Sequence, residues 1–302
     1  MKIAAIITAH NEERTLQRLL PRVLEETFDS GTLERVVVVS SESSDGTDAL
    51  VRDLAKQDSR LRLLTEPRRR GKCAAINWGL SELPPVDVVV LSSADVLPDR
   101  GALARLVEPF QDAGVGMSGG RPVPTNPRDT LFGYAADLLW RVHHRVASRS
   151  PKLGEVVAFR GDVKSIPEDL AVDEAALEAH AREQGLRLAY VPEAVIRNRG
   201  ADNLKEFLSQ RRRIAAGHLH LRRQLKYSVS TSGLGTAIGA LLPELSLRPR
   251  LLCYGIATAA LCFWGRLLGA YDFYVARKSH QVWDVAASTK NLEPTQPESN
   301  RE

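Results

Sequence analysis

Two basic clusters are the first sign of chemistry in this chain. Arg68–Lys72 forms one, and Arg197–Lys226, which holds nine basic and only two acidic residues, forms the other. Clusters of this kind attract pyrophosphates, other polyanions or anionic lipid. A solvated helix face is the alternative for either cluster. The adjacent acids Asp173 and Glu174, at a predicted helix start, add carboxylates that could move a proton.

Apolar runs alternate with helical patterns through the first half of the chain. The runs predict strands over 2–8, 35–40, 61–64, 86–91 and 115–118. The patterns between them predict helices over 12–27, 46–57, 72–82 and 99–110. This alternation predicts an α/β fold with a mostly parallel, Rossmann-like sheet flanked by helices. Because ligands bind beyond the carboxyl ends of such strands, loops 8–12, 40–46 and 92–95 should meet at one site.

Composition limits the class of protein. The chain has 302 residues, of which 43% are hydrophobic and 26% charged, which is typical of a globular protein. Its three cysteines have neither disulfide-scaffold nor zinc-ligand spacing, so a reducing compartment fits best. The first apolar run is short and lacks a cleavage site, which predicts a buried strand and not a signal peptide.

Four motifs follow the predicted strands in order. They are Thr8-Ala9-His10-Asn11-Glu12, Ser44-Asp45-Gly46-Thr47, the stretch from Gly71-Lys72 to Leu80, and Ser92-Ser93-Ala94-Asp95. Their sequence over residues 1 to about 215 resembles the inverting family 2 glycosyltransferases, which have the GT-A fold. The resemblance implies a hexosyltransferase-type enzyme that uses a nucleotide-sugar donor.

The resemblance also assigns residues to the donor. Asp95 takes the last position of the family's Asp-x-Asp motif and is expected to bind Mg²⁺ or Mn²⁺, while Ser93 replaces the first acid. The acidic nucleoside-binding positions hold Ser40 and Ser41, so Ser41 is a donor contact without a carboxylate. The remaining donor candidates are Glu12, Asp45 and Lys72. Helix capping is the alternative for Asp95 and Asp45, and solvation is the alternative for Lys72.

The acid pair aligns with the family's general base. The alignment register gives the base to Glu174, whereas the residue type favours Asp173, and simple helix-start charges are the alternative. The segment from Gly154 to Arg160 resembles the strand that floors the acceptor site, which makes these two residues acceptor candidates.

Gln210-Arg211-Arg212-Arg213-Ile214 resembles the Gln-x-x-Arg-Trp element of membrane-bound synthases, with Ile214 in place of Trp. Gln210 and Arg213 are therefore donor candidates, and Arg213 could pair with the diphosphate. A basic helix face on lipid or solvent is the alternative.

The composition changes again after residue 226, which predicts a boundary between a GT-A domain (1–226) and a helical membrane-associated region (227–290). Residues 229–243 and 251–265 are apolar but too short to span a bilayer, and extending the second to residue 274 gives enough length only if Arg266 and Asp272 lie near an interface or inside a bundle. In-plane or re-entrant helices are therefore expected, with packing on a partner subunit as the alternative. Residues 288–290 are expected in a final interfacial helix. The tail, 291–302, is predicted to be disordered.

These features predict transfer of a sugar, from a UDP-sugar or else a GDP-sugar, to a hydroxyl of a lipid-linked or glycan acceptor of the cell envelope. The enzyme is expected on the cytoplasmic face of the membrane, against anionic lipid, with no nucleic-acid partner. A nucleotidyltransferase is one alternative, although no Gly-rich phosphate loop follows the first strand. A non-catalytic sugar-nucleotide-binding protein is the other, suggested by the serines at positions 40, 41 and 93.

Overall fold

The computed structural model describes residues 1–230, 234–282, 287–290 and 292. Strands within this part are β1 (Lys2–Ala9), β2 (Thr32–Ser41), β3 (Leu61–Glu66), β4 (Val88–Ser93), β5 (Leu97–Pro98), β6 (Val115–Pro124), β7 (Val157–Arg160) and β8 (Arg187–Asn198). Helices are α1 (Glu13–Leu24), α2 (Thr47–Ala55), α3 (Lys72–Ser81), α4 (Ala102–Val107), α5 (Leu131–Ala147), α6 (Asp173–Glu183), α7 (Leu204–Leu225), α8 (Leu234–Leu241) and α9 (Pro249–Tyr271).

One mixed sheet organises the fold, with strand order β3-β2-β1-β4-β7-β6-β8-β5. β3, β2, β1 and β4 are mutually parallel, and β7 pairs antiparallel with both β4 and β6. The parallel strands are apolar on both faces because helices cover both sides, and Val36–Val39 are completely buried. The predicted α/β architecture is confirmed.

The fourth predicted helix, 99–110, is the one whose form differs most. α4 ends at Val107, and the chain continues as a 3₁₀ turn over Glu108–Gln111. Pro109 has no backbone N–H and therefore cannot continue the hydrogen-bond ladder of an α-helix. Phe110 in this turn is buried, so the sequence pattern found the buried position but not the change of helix type.

The second C-terminal apolar stretch forms a longer helix than expected. α9 continues through a π-turn (Asp272–Ala276) into one helical segment, Pro249–Ala276, with mean hydropathy 1.6. This segment of 28 residues is long and apolar enough to cross a membrane, and only 17% of its most apolar 18-residue stretch is buried in the protein. The helix begins two residues before the predicted apolar stretch and runs through Arg266 without a break, whereas its in-plane or re-entrant placement stays a prediction.

α9 packs on the basic helix α7 through two glycines one turn apart. A Cβ at Gly265 would lie 2.5 Å from the Arg211 Cβ, and one at Gly269 would lie 2.6 Å from the Ala215 Cβ. Only glycine allows the two helix backbones to approach this closely, as at small-residue helix crossings in membranes. The crossing fixes the apolar helix against the domain that holds the basic cluster.

The chain then returns to the body of the protein. We call the described residues of 277–292 the return segment. It begins where Arg277 adopts a left-handed conformation (φ 48°) that ends the helix. Of the predicted disordered tail, 291–302, only Leu292 is described, and it is 7% exposed and part of the core. The rest of that prediction lies outside the described residues.

Candidate functional site

The loops after β1 and β2 are locked together by side chains. Asn11 has a left-handed backbone (φ 56°), a conformation that Asn tolerates better than most residues. Its Oδ1 accepts from the Ser44 N–H (2.7 Å), and its own N–H donates to Ser43 Oγ (3.0 Å). The Glu12 N–H donates to Thr47 Oγ1 at 2.8 Å. These bonds place the polar end of the first motif over the centre of the sheet.

A pocket opens where β1, β2 and β4 end, as the sequence predicted. Its lining residues are Thr8, Ala9, His10, Glu12, Ser41, Arg69, Gly71, Lys72, Ala75, Ser93, Ala94, Asp95 and Gln281. Four of the predicted donor residues, Glu12, Ser41, Lys72 and Asp95, are among them. The pocket thus joins residues that lie far apart in sequence.

Two carboxylates, Glu12 and Asp95, line this pocket, and the charge of Asp95 acts on Glu12. Burial, and next the charge of Asp95, raise the pKa of Glu12 to about 8, although Lys290 acts to lower it. Burial likewise raises the pKa of Asp95 against the lowering effect of Lys72. Glu12 Oε2 is buried and makes no hydrogen bond to any described residue. The nearby cations therefore neutralise neither carboxylate completely.

That deficit fits a divalent cation. Among the described residues no group of three or more His, Cys, Asp or Glu side chains is arranged to hold a metal ion. Mg²⁺-type sites in phosphate-handling enzymes commonly use one or two carboxylates and complete the shell with substrate phosphates and water. Asp95 and Glu12, whose Oε2 has no hydrogen-bond partner among the described residues, fit such a two-carboxylate site.

Lys72 links this pocket to the predicted general base. It begins α3, and its Nζ lies 2.8 Å from Asp173 Oδ2 and 3.3 Å from Glu174 Oε1, at the start of α6. Burial acts to lower the pKa of Lys72, but the two carboxylates and Asp95 together raise it, so the ammonium stays charged. The lysine was predicted as a donor contact, and the structure shows that its present partners are the acid pair.

The two acids differ in environment. The Asp173 side chain is 4% exposed, and burial together with the charge of Glu174 raises its pKa. The Glu174 side chain is 23% exposed. Burial acts to raise the pKa of Glu174, but Lys72 and the backbone N–H groups outweigh burial and lower it. Glu174 is thus the ionised and more accessible acid of the pair.

α7 brings Arg213 to the same place. Its Nη1 donates to the Ala171 carbonyl at 3.5 Å, and its charge acts on Glu174, Asp173 and Asp95. Gln210 lies one turn earlier on α7, half-buried, and makes no hydrogen bond to the described residues. The structure therefore joins Arg213 to the site and gives Gln210 no contact in it.

Two further predicted residues, Asp45 and Arg160, do not line the pocket. Asp45 is exposed, and its carboxylate accepts from the N–H groups of Thr47 (3.0 Å) and Glu13 (3.3 Å), which agrees with the helix-start alternative. Arg160 donates to the carbonyls of Val115 (2.8 Å) and Asp112 (2.9 Å). The reason is strand direction: β7 is antiparallel to β4, so Arg160 pairs with Val88 at the end opposite the site.

The other end of the same segment does reach the site. Gly154 precedes β7, and a Cβ there would meet nothing within 4 Å. The next residue, Glu155, has a left-handed backbone (φ 65°), which is uncommon for a residue other than glycine and is often found at functional sites. Glu155 accepts from Asn198 Nδ2 at 3.0 Å and lies within the fields of Asp95 and Glu174.

A carboxylate that the sequence analysis missed lies beside Ser41. Glu66 ends β3, is 2% exposed, and accepts from Ser41 Oγ (2.6 Å) and from Arg70 Nη2 (2.8 Å). It restores an acid near the nucleoside-binding position, one strand further along the sheet. The signal available in the sequence was the place of Glu66 just after the predicted strand over 61–64.

The return segment supplies two further site residues. Lys290 Nζ donates to the carbonyls of His10 (2.7 Å) and Asn11 (2.8 Å) and lies 3.6 Å from Glu12 Oε1. Gln281 Nε2 donates to the Arg70 carbonyl at 2.8 Å. Gly71, with φ 104°, lies directly under Gln281, and a Cβ there would be 2.7 Å from the Gln281 carbonyl oxygen. The pocket is therefore closed by residues from the far end of the chain.

The sequence model described as Glycosyl transferase family 2 matches residues 4–160, more than half of the chain. The chain belongs to this family of glycosyltransferases. The glycosyltransferase AglE of Haloferax volcanii is 29% identical over 125 residues, which cover 41% of this chain and 40% of that protein. The probable glycosyltransferase YdaM of Bacillus subtilis is 32% identical over 109 residues, or 35% of this chain and 26% of that protein. The aligned parts thus span well under half of either relative.

Two solved structures have a fold similar to that of this chain. The mannosyltransferase PcManGT from Pyrobaculum calidifontis, solved with GDP-Man and Mn²⁺, is 23% identical with a TM-score of 0.57, covering 91% of this chain and 81% of that one. Glucosyl-3-phosphoglycerate synthase from Mycobacterium tuberculosis, solved with Mn²⁺, UDP and phosphoglyceric acid, is 22% identical with a TM-score of 0.53, covering 77% and 81%. The GT-A architecture of this glycosyltransferase is confirmed.

Proposed function

We propose that this glycosyltransferase transfers one sugar, with inversion, from a nucleotide-sugar donor to a hydroxyl of a lipid-linked acceptor at the cytoplasmic face of a membrane. One observation carries the proposal: Lys72 joins the donor-side carboxylate Asp95 to the acid pair Asp173–Glu174 in a single buried cluster. A diphosphate leaving group needs positive charge, and an attacking hydroxyl needs a base to accept its proton, within a few ångströms of each other. Lys72 and the acid pair supply both in this cluster.

On the donor side, Lys72, Arg213 and Lys290 are the cations whose charges reach Asp95. They would stabilise the negative charge that grows on the diphosphate as the bond to the sugar breaks. Asp95 and Glu12 would hold Mg²⁺ or Mn²⁺, which when bound neutralises the diphosphate oxygens. The solved neighbours contain Mn²⁺ with GDP-Man or with UDP, which supports a metal and leaves both nucleotides as candidates.

On the acceptor side, we assign the general base to Glu174. It is ionised and more accessible than Asp173, and its charge reaches Lys152, His218 and Glu155. Glu174 takes the proton of the acceptor hydroxyl, and the oxygen attacks the anomeric carbon. The bond from that carbon to the diphosphate then breaks, and the nucleoside diphosphate leaves with the electron pair. Asp173 positions Lys72.

The membrane assignment depends on α7 and α9. The segment Pro249–Ala276 is long and apolar enough to span, and it exposes Phe263, Trp264 and Leu267. Arg222 and Arg223, on the last turn of the basic helix beside it, are exposed. Each basic residue near an anionic surface contributes about 1 kcal/mol of attraction. Flotation with anionic liposomes at low salt tests this assignment, and protein that remains in the soluble fraction would contradict it.

Release of nucleotide from UDP- and GDP-sugars with Mn²⁺ tests the chemistry. Glu174→Gln should keep donor affinity within about two-fold, measured by calorimetry, and lower turnover by about 100-fold or more, the scale for a lost general base. Glu183→Gln, on the exposed last turn of the same helix, is the matched control. Full turnover in Glu174→Gln would assign the base elsewhere, and a wild-type protein that binds no donor would mean it is not an enzyme of this kind.

A further inference from the structure

Glu155 and Asn198 form a polar pair at the edge of the sheet that also holds the donor pocket. β6 is antiparallel to β7 and parallel to β8, and β7 is antiparallel to β4, so β4, β6 and β8 all end at this edge. Asn198 is the last residue of β8, and Glu155 lies two residues before the start of β7. Strand direction therefore brings together two residues that are 43 positions apart in sequence.

The sheet register places this pair next to the donor pocket. Leu91 of β4 pairs with Val157 of β7 at the end of their ladder. Ser93, two residues further along β4, lines the donor pocket, and Glu155 is two residues from Val157 at the same edge. Neighbouring strands of a sheet are about 5 Å apart. Glu155 therefore leads into β7 beside the part of the pocket wall that holds Ser93 and Asp95.

Each member of the pair keeps a hydrogen-bond acceptor without a partner. Asn198 Nδ2 donates to Glu155 Oε1 at 3.0 Å. Asn198 is 5% exposed, and its Oδ1 is buried with no hydrogen bond to any described residue. The other carboxylate oxygen of Glu155 has neither a hydrogen bond nor an ion pair within the described part of the chain. A buried acceptor without a donor is costly unless a ligand supplies an O–H or N–H group.

The backbone of Glu155 is strained. Its φ of 65° lies in the left-handed region, which glycine adopts readily and glutamate does not. The glycine of this loop, Gly154, does not have a left-handed φ, so the strain falls on the residue with the carboxylate. Glycine at position 155 would relieve the strain. Strain of this kind is characteristic of ligand-binding positions, which agrees with the unpartnered oxygens of the pair.

The charges around Glu155 indicate which part of the substrate it meets. Burial first, and then the charges of Asp95 and Glu174, raise the pKa of Glu155, while Asn198 and Lys72 oppose them. The carboxylate thus lies within reach of both the donor side and the proposed base. At the moment of transfer the anomeric carbon must lie between the diphosphate and the base. A carboxylate repels a phosphate, but it accepts hydrogen bonds from the hydroxyl groups of a sugar ring.

We propose that Glu155 and Asn198 bind hydroxyl groups of the donor sugar and hold the transferring ring while its anomeric carbon is attacked. This inference rests on the proposed function and deepens it, because it names residues that recognise the sugar and not the nucleotide. Neither residue makes or breaks a covalent bond. A sugar without the contacted hydroxyl groups is rejected, because it would leave both acceptors buried and unpartnered.

Calorimetry with Mn²⁺ tests the pair by comparing GDP-mannose with GDP, and UDP-glucose with UDP. Glu155→Gln should weaken binding of the nucleotide-sugar about ten-fold, the scale of one hydrogen bond to a charged group, and leave the Kd of the free nucleotide within two-fold. Glu155→Gly should lose the same affinity, and its Tm should equal or exceed that of wild type because the strain at φ 65° is removed. Glu193→Gln, exposed on β8, is the matched control and should change neither Kd.

The ratio of the two Kd values in each pair decides between the outcomes. A loss confined to the nucleotide-sugar supports the proposal. An equal loss for the free nucleotide would overturn it, because the variants would then act on the diphosphate site. Nucleotide binding with an unchanged ratio in both Glu155 variants would overturn this inference alone. Wild-type protein that binds neither GDP nor UDP would overturn the proposed function, and this inference with it.

Discussion

Replacing Lys290 by methionine removes a positive charge from the donor pocket while keeping most of the side-chain volume. In the structure this ammonium holds the carbonyls of His10 and Asn11 and lies beside Glu12. The change should release the return segment from the end of β1. It should also raise the pKa of Glu12 further, because Lys290 is one of the charges that act to lower it. Both effects weaken binding of a metal-diphosphate.

The size of the effect follows from the contacts. A hydrogen bond to a charged group contributes about 1.5–3 kcal/mol. The Lys290 side chain is 23% exposed, so water replaces part of the loss and the low end applies to each of its two bonds. The two hydrogen bonds of Lys290 together then contribute about 3 kcal/mol. If half to all of this energy is coupled to the donor, the donor Kd should rise about 10- to 100-fold, since about 1.4 kcal/mol is one power of ten.

Calorimetry of GDP and UDP in the presence of Mn²⁺ measures this directly. Lys278→Met, an exposed lysine in the same segment, is the matched control and should leave both Kd values unchanged. Lys290→Arg keeps the charge and should recover most of the affinity. A Kd for Lys290→Met within two-fold of wild type would refute the reasoning, because it would show that the return segment closes over the pocket without contributing to it.

Three further outcomes are expected. Asp95→Asn should abolish the Mn²⁺ dependence of donor affinity, and a chelator effect equal to that in wild type would contradict the metal assignment. Because burial first, and then Asp95, raise the pKa of Glu12 from 4.5 to about 8, the stability present below about pH 4.5 is lost as the pH rises through 8. The Tm of metal-free protein should therefore fall over this range, and Mn²⁺ or Glu12→Gln should flatten the fall in fluorimetry. Gly71→Ala strains a backbone at φ 104° and displaces Gln281, which should cost about 1–3 kcal/mol in urea unfolding and expose the return segment to proteolysis; unchanged unfolding would show that the loop relaxes freely.

The parallel part of the fold was predictable because its signal is local. Each buried strand is a continuous apolar run, and helices on both faces leave no polar side to interrupt it. Once the strands are placed, the rule that ligands bind at their carboxyl ends brings Glu12, Lys72 and Asp95 together without knowledge of any distance. These three residues line the observed pocket.

Strand direction was not predictable in the same way. The segment from Gly154 to Arg160 is apolar whichever way it runs, so its sequence does not show that β7 is antiparallel to β4. At about 3.3 Å per residue, β7 alone separates Val157 from Arg160 by roughly 10 Å, and Gly154 lies before the start of this strand. One end is beside the acid pair and the other is at the base of the sheet. A single reversed strand therefore retains Gly154 as an acceptor candidate and removes Arg160.

Glu66 and Lys290 were missed for different reasons. Glu66 lies at the end of a predicted strand, but next to an arginine run it has the pattern of an ordinary surface ion pair. Lys290 is 278 residues from Glu12, and no local pattern predicts a contact over that separation. Lys290 reaches the pocket because α9 crosses α7 and the helical segment then ends at Arg277. Both features are properties of helix packing and not of the residues near position 290.

The same packing joins two parts of the molecule that the composition separates. α9 is fixed on α7 by Gly265 and Gly269. Asp272, the residue after α9, is buried and pairs with Arg212 of α7 and with His280 of the return segment. The next described stretch places Gln281 and Lys290 on the donor pocket. A displacement of α9 along its axis would therefore move the residues that close over the nucleotide. Since α9 is long and apolar enough to enter a bilayer, the proposed membrane contact would act on the same helix that leads to Gln281 at the pocket.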